Sequence, residues 1–364
     1  MHIDFSKMRR TVKMKRYLVV SLTVVLAIIL VISFTVSGCA GTSAPAGGKK
    51  VTLREALIHP ATDYMAKYTV TAAARFNNTF PGKYELTVHP GAALMGMAES
   101  LDGVRTGVVE IGQYPPGVFS NLDVRFSSAE LPFLYNNIEA NIAACKELLP
   151  VYSELLEKNY NQKALALWTA TSLDLISKKP IRTMADWKGV VAQAINPPCA
   201  AVITALGGSP VSIDFPDAYS SLSKGVVTAG MYATTQMVEY NMWEVAKFVV
   251  PVYMVPTFIV SAINLDVWKS LPKDVQDSLL KEHQKLADDL NGLYEVLVTT
   301  NPKTLADKGV EVYILPKDER DRWHAAIQPY VDEQLKKMGD FGKKITEIAN
   351  KINAKYPYIG YIEK

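Results

Sequence analysis

The chain carries three cysteines and five histidines, and their spacing limits the chemistry available to it. Cys39 closes the run Val36-Ser37-Gly38-Cys39, where small residues follow an apolar stretch. A cysteine at such a processing site offers its thiol for covalent attachment. Cys145 and Cys199 form no CxxC pair. The histidines do not cluster, and no HExxH motif occurs, so no metal site is implied. No Ser-His-Asp order with a nucleophile elbow is present, nor a phosphate loop, nor a pair of carboxylates suited to acid–base work. Asp214 and Asp217 are close in sequence, and a charged loop accounts for them. These residue types point away from an enzyme and call for no cofactor.

The segment before Cys39 supplies an address. Lys15-Arg16 precedes an apolar run from Tyr17 to Val36, and the order basic, apolar, small marks an export signal. The run is about as long as one membrane-spanning helix needs. The small residues at its end and the flexible stretch 41–48 favour cleavage instead. With cysteine at the cut, Val36-Ser37-Gly38-Cys39 resembles a bacterial lipoprotein signal. That resemblance implies a mature protein tethered to a membrane surface by lipid at Cys39, on the periplasmic or extracellular side. Cys145 and Cys199 fall in segments assigned below to different lobes, so both are expected as free thiols.

Removing 38 residues leaves 326, enough for two lobes with cores of their own. The formal net charge of +3 then changes sign. The first 38 residues hold six of the 39 basic and one of the 36 acidic residues, leaving 33 against 35. There is no electrostatic case for nucleic-acid binding.

The elements that must position a binding site alternate between strand and helix. Val51–Leu57 and Tyr84–His89 read as strands around a helix over 63–80, which Pro81-Gly82 ends. A helix over 97–106 and a short strand over 108–112 follow. The pattern restarts with strands over 164–169, 173–177, 190–195, 211–213 and 226–231, with helices over 200–206 and 217–223 between them. This order predicts α/β lobes with mostly parallel sheets. An apolar extended stretch, 253–263, is positioned to cross back to the first lobe. Residues 273–300 carry Val275, Leu279, Leu286, Leu290, Leu293 and Leu297 on one stripe. A helix of that length runs on the order of 40 Å and is expected to brace both lobes. Asn301-Pro302 is expected to end it, and a charged helix is expected over 318–352.

Several of these stretches resemble the solute receptors of TRAP (tripartite ATP-independent periplasmic) transporters. They include Pro90-Gly91 with Leu94, Gly96 and Glu99, then Glu130-Leu131-Pro132-Phe133-Leu134. In the second half they include Lys179-Pro180, Asp186-Trp187-Lys188-Gly189 and Ala205-Leu206-Gly207-Gly208-Ser209-Pro210. Phe215-Pro216-Asp217-Ala218-Tyr219, Ile263-Asn264, Trp268 and Leu271 complete the series, in family order across residues 51–315. The resemblance implies a two-lobed periplasmic-binding-protein fold with cross-over strands. It also implies a small organic ligand held between the lobes and a membrane permease as partner. The expected organisation is a signal over 1–38, a linker over 39–50 and a tail over 346–364. Residues 51–170 and 258–300 are expected in lobe 1, and 171–257 and 301–345 in lobe 2. A binding protein of an ATP-driven importer or a sensor with the same architecture is the alternative.

The chain departs from the family where charge matters. Aligned on Lys188-Gly189, the arginine that grips a ligand carboxylate in most members falls at Gln193, and a one-residue slip brings Ala192 there instead. A second arginine of some members falls near Leu173. A later acidic and amide cluster is replaced by Thr228-Ala229-Gly230-Met231-Tyr232. A carboxylate buried opposite glutamine is costly. The ligand is therefore expected to be neutral or cationic. Expected contacts are Gln193, Phe215, Met231, Tyr232 and Trp168, with His59, Tyr64, Gln113 and Tyr114 from the first lobe.

Overall fold

The computed structural model describes residues 50–213 and 217–358. Among the described residues, nine strands form one sheet. They are β1 (Val51–Leu57), β2 (Tyr84–His89), β3 (Ile111–Tyr114), β4 (Gln162–Ser177), β5 (Val191–Ala194), β6 (Ser209–Ser212), β7 (Ala229–Tyr232), β8 (Phe248–Asn264) and β9 (Glu311–Val312). Among the described residues, ten α-helices accompany them: α1 (Tyr64–Thr79), α2 (Ser100–Arg105), α3 (Ile138–Asn159), α4 (Pro197–Ala205), α5 (Ala218–Lys224), α6 (Thr234–Glu239), α7 (Leu265–Ser270), α8 (Lys273–Asp307), α9 (Lys317–Lys337) and α10 (Asp340–Lys355). Among the described residues, no helix is long and apolar enough to cross a membrane. The signal, Cys39 and Phe215 lie outside the described residues.

The sheet order is β2-β1-β3-β8-β4-β7-β5-β6, with β9 also on β8. Two strands make this one sheet serve two lobes. β4 and β8 are antiparallel, 16 and 17 residues long, and buried almost throughout. The beginning of β4 and the end of β8 carry β3, β1 and β2. Their opposite halves carry β7, β5, β6 and β9. Near-continuous apolar runs such as Phe248–Val260 suit strands covered on both faces.

Each lobe has its own core. In the first, Leu53, Phe76, Ile111, Ile263 and Leu279 pack under α1 and α8, and Phe126, Leu148, Tyr152, Leu167 and Phe258 pack under α3. In the second, Trp187, Val202, Met231, Val250 and Trp323 form the larger cluster. Trp187 and Trp323 meet edge to face at 5.7 Å, the favoured aromatic geometry. Burying such a pair anchors α9 to this lobe.

The structure revises several expected elements. The short strand is 111–114 rather than 108–112, because a left-handed turn at Gly107 (φ 76) delays it. The strands over 164–169 and 173–177 are one strand with bulges between. Helix α8 does not stop at Pro302 but continues to Asp307, where Leu305 is buried in the second lobe. That packing offsets the hydrogen bond a proline removes. The charged C-terminal helix is two, broken at Gly339 (φ 60). α10 spans the expected boundary at residue 345 and buries Ile345, Ala349 and Ile352 beside α3. Leu131 and Phe133 pack with the second-lobe core, although their segment was expected in the first.

Candidate functional site between facing strand ends

Strand directions locate the site. β3 runs antiparallel to β8 and ends with Tyr114 opposite Val260. β7 runs antiparallel to β4 and ends with Tyr232 opposite Asp174. The carboxyl ends of β1 and β3 therefore point toward those of β5 and β7. Between them, on β4, lie the residues from Leu167 to Asp174, a span of roughly 20 Å at strand rise. Ligands of open α/β sheets bind outside the carboxyl ends of strands.

The backbone is irregular at this crossing. Thr171 (φ 75) and Tyr253 (φ 53) adopt left-handed conformations, and the β4–β8 register shifts between Thr169 and Ser172 and again before Leu175. Such positions are uncommon for non-glycine residues and cluster at functional sites. Side chains satisfy the freed backbone groups. Asp174 Oδ1 accepts from the Val252 and Tyr253 N–H groups at 3.0 and 2.8 Å. Asn291 of α8 accepts from the Thr169 N–H at 3.0 Å, and Asn141 of α3 donates to the Thr171 carbonyl at 3.2 Å. Burial pushes the Asp174 carboxyl up to about 7, against the pull of those N–H groups and of Arg320.

On the α1 and α8 side, the lobes touch through polar groups. Asp63 caps α1, its Oδ1 accepting from the Met65 N–H at 2.7 Å. Its Oδ2 accepts from the Tyr240 hydroxyl, just beyond α6, at 2.9 Å. Glu239 sits close by. Burial, then the Asp63 charge, push its carboxyl up to about 7, while the Tyr64 N–H and Lys67 pull the other way. His59 is nearly buried with no partner on Nδ1 among the described residues, and burial pulls its imidazole below the usual value despite the Asp63 charge.

On the opposite side, Glu130 is fully buried where the chain passes from the first core to the second. Asn196, the N-cap of α4, donates from Nδ2 to Glu130 Oε2 at 3.2 Å. Pro197 and Pro198 open that helix without N–H groups, so the first free donor is Cys199, which binds Asn196 Oδ1 at 2.9 Å. A Cβ at Gly117, in the turn after β3, would overlap Glu130 Oε2. Burial pushes the Glu130 carboxyl up to about 8, against the Gly117 and Phe258 N–H groups and Asn196.

The residues singled out from sequence divide between gap and interior. His59 lies on the loop after β1, and Tyr64 opens α1. Tyr232 ends β7, fully buried in the core with Ile176, Leu222 and Met237. Gln193 is one residue from the end of β5, its Nε2 donating to the Ile213 carbonyl at 2.8 Å and its Oε1 without a partner among the described residues. Met231 faces away into the second-lobe core. Trp168 packs against Met65, Leu286 and Tyr294 under α8. Gln113 is drawn inward, donating to Glu55 at 2.7 Å and Thr69 at 3.0 Å. Tyr114 donates to Gln162 at 2.6 Å and packs on Phe119. These last four are interior groups, because strand alternation aims them at helices rather than past the strand end.

Sequence reasoning missed Asp63, Glu130, Asn196, Glu239 and Tyr240. Asp63 and Asn196 carry a readable signal as caps, the latter before Pro-Pro. Among the described residues, no group of three His, Cys, Asp or Glu side chains is placed to hold a metal. Cys145 and Cys199 are buried free thiols. A depression of about 430 Å³ lies beside the end of β6, lined by Ser212, Ile213, Asp217 and Lys224.

The comparisons agree with this geometry. The C4-dicarboxylate-binding periplasmic protein DctP of Vibrio cholerae is 22% identical over 293 residues, 77% of this chain and 84% of that protein. The crystal structure of DctP7, a Bordetella pertussis extracytoplasmic solute receptor binding pyroglutamic acid, superposes with TM-score 0.78 at 21% identity. It covers 82% of this chain and 99% of that one. A TRAP periplasmic solute-binding protein from Desulfovibrio salexigens with bound orotic acid superposes at 0.75 with 19% identity, covering 84% and 99%. The model of the bacterial extracellular solute-binding proteins, family 7, matches residues 56–338, and with that match spanning most of its length the chain belongs to this family.

Proposed function

We propose that the protein captures a small organic molecule between its lobes and delivers it to a TRAP-type secondary transporter, without chemical turnover. Cys39 serves as its lipid anchor on the periplasmic or extracellular face of a membrane. The ligand is neutral or cationic. One observation carries the ligand class. The segments 57–64, 113–119, 168–174, 191–196, 229–240 and 252–258, which end or cross at the gap, contain no lysine or arginine. They do contain Asp63, Asp174 and Glu239. An anion entering there would meet these acids, and the cations that act on them, Arg320 on Asp174 and Lys67 on Glu239, come from outside these segments and already face an acid, which is unfavourable. Similar solved structures are described with bound pyroglutamic acid, orotic acid and succinate, so this reading departs from them on ligand charge and not on fold.

His59, Tyr64 and Tyr232 are the proposed contacts from the described strand ends, with Gln193 behind them and Phe215 from the adjoining loop. Gln113, Tyr114, Trp168 and Met231 set the walls from inside each lobe. Closure is a hinge motion at the β4–β8 crossing, biased by a ligand that touches both sides. Thermal-shift screening tests the reading. Neutral or amine-bearing metabolites are expected to raise the melting temperature. A large stabilisation by malate or succinate refutes the ligand class.

A further inference from the structure

The far end of the second lobe carries lysines that no acid neutralises. This is the pole where β4 ends and β5, β7, β8 and β9 begin, away from the gap. The segments that meet there, 177–189, 223–228, 243–248 and 303–311, hold eight lysines and arginines against four acids. Each acid is already engaged. Glu311 pairs with Arg182, and Asp307 with Lys303. Asp186 accepts from the Arg182 and Thr183 N–H groups, each at 2.9 Å, and Glu244 accepts from the Tyr219 hydroxyl at 2.7 Å. Six exposed lysines remain: Lys178, Lys179, Lys188, Lys224, Lys247 and Lys308. None of them has an ion-pair partner among the described residues.

These lysines form a continuous surface. Lys178 Nζ donates to the Ser223 carbonyl at 3.4 Å, beside Lys224. Lys247 Nζ donates to the Lys308 carbonyl at 3.5 Å, and both ammonium groups lie over the ring of Trp243, 5.6 and 4.9 Å from its centroid. Two like charges over one indole repel each other, and the face of the ring offsets only part of that. The pole of the first lobe is built differently: Lys50 pairs with Glu85, Arg105 with Asp102 and Lys163 with Glu157. A surface of one sign that its own protein leaves open fits an anionic partner. The partner always within reach is the bilayer that holds the anchor, and a lipid anchor and a basic patch act together on anionic membranes. The anchor is tied to the opposite pole, where β1 begins. The chain from Cys39 to Lys50 extends at most about 40 Å, whereas the 16 residues of β4 alone cover roughly 50 Å between the poles. Both ends can therefore touch one bilayer only if the molecule leans over.

Resting on the anchored-receptor reading above, we propose that the lysine pole of the second lobe docks on the phosphate headgroups of an anionic phospholipid bilayer, the membrane that also holds the anchor, and so lays the receptor down along its surface. Lysine acetylation footprinting of the full-length lipoprotein, read by mass spectrometry, tests this residue by residue. The protein is reconstituted on phosphatidylcholine vesicles with or without about 30 mol % phosphatidylglycerol. On the anionic vesicles, labelling of Lys178, Lys179, Lys224, Lys247 and Lys308 is expected to drop about threefold or more, while Lys281 and Lys344, exposed elsewhere, label equally on both. Roughly 1 M sodium chloride, where the Debye length is about 3 Å, is expected to restore the labelling. The combined variant Lys224→Glu, Lys247→Glu, Lys308→Glu alters exposed positions only, so its melting temperature is expected to hold while Lys178 and Lys179 lose their protection. Equal labelling on the two kinds of vesicle, or protection that salt does not relieve, overturns the docking. Protection that appears on phosphatidylcholine only when the permease is added overturns it in favour of a protein partner. A chain that does not float with phosphatidylcholine vesicles overturns the anchor at Cys39, and the lean with it, whichever way the footprint falls.

Discussion

At Asp63, one carboxylate holds two parts of the molecule. Oδ1 caps α1 and Oδ2 receives the Tyr240 hydroxyl from the other lobe. Only the second bond depends on closure. Tyr240→Phe is therefore expected to leave the fold intact and disfavour the closed form, by about tenfold in population if the bond is worth about 1.4 kcal/mol. Small-angle scattering of the ligand-free protein would show a larger radius of gyration; an unchanged profile counts against this latch. Two other buried groups set the pH dependence. Burial opposes charge on His283, but the charge and hydrogen bond of Glu55 outweigh it, and the imidazole is raised above its usual value. Its contribution is full below about pH 6.5 and is lost as pH climbs through the raised value. Glu130, raised to about 8, keeps a proton in the fold that the unfolded chain gives up near 4.5. Its effect is a growing cost between those values, constant above about 8. Both slopes have the same sign. Asp174 and Glu239, raised to about 7, add to them below that value, whereas His59, lowered by burial, acts the other way around its usual value. The melting temperature is therefore expected to fall from pH 7 to 8. Glu130→Gln is expected to flatten that fall, and an unaltered slope in the variant would contradict it.

Helix α8 shows how an element can be legible in sequence and still be read short. Its apolar stripe from Val275 to Leu297 identifies the helix, but Pro302 reads as a stop, and burial of Leu305 overrides it. Helix α3 went unread because Pro150 interrupts its apolar spacing, although Asn137 caps it and Leu148, Tyr152 and Leu155 form its buried face. The strands were legible because β-branched and aromatic runs are rare elsewhere. The latch was not, since Asp63 and Tyr240 are 177 residues apart and neither is unusual locally. Gln113, Tyr114, Trp168 and Met231 were misaimed for a related reason: order along the chain places a residue near a strand end but does not say which face it takes. α8 also acts on the crossing itself, through Asn291 and the Thr169 N–H. Asn291→Ala leaves that buried donor unpaired, and the expected loss is about 1–3 kcal/mol in urea unfolding. A neutral variant would show that water takes over the bond.

As a whole, the molecule is one sheet bent to two purposes. Two long strands carry a half-sheet at each end, and the strand ends meet across an irregular crossing held by Asp174, Asn141 and Asn291. That arrangement permits closure, and the segments that close carry acids and no lysine or arginine. Fold and family follow from shape, whereas the class of ligand follows from charge. The direct test is native mass spectrometry of the purified full-length protein, followed by release and identification of whatever small molecule accompanies it. A neutral or cationic nitrogen compound bound one to one is the predicted result. A stoichiometric organic acid in its place would contradict the account at its centre.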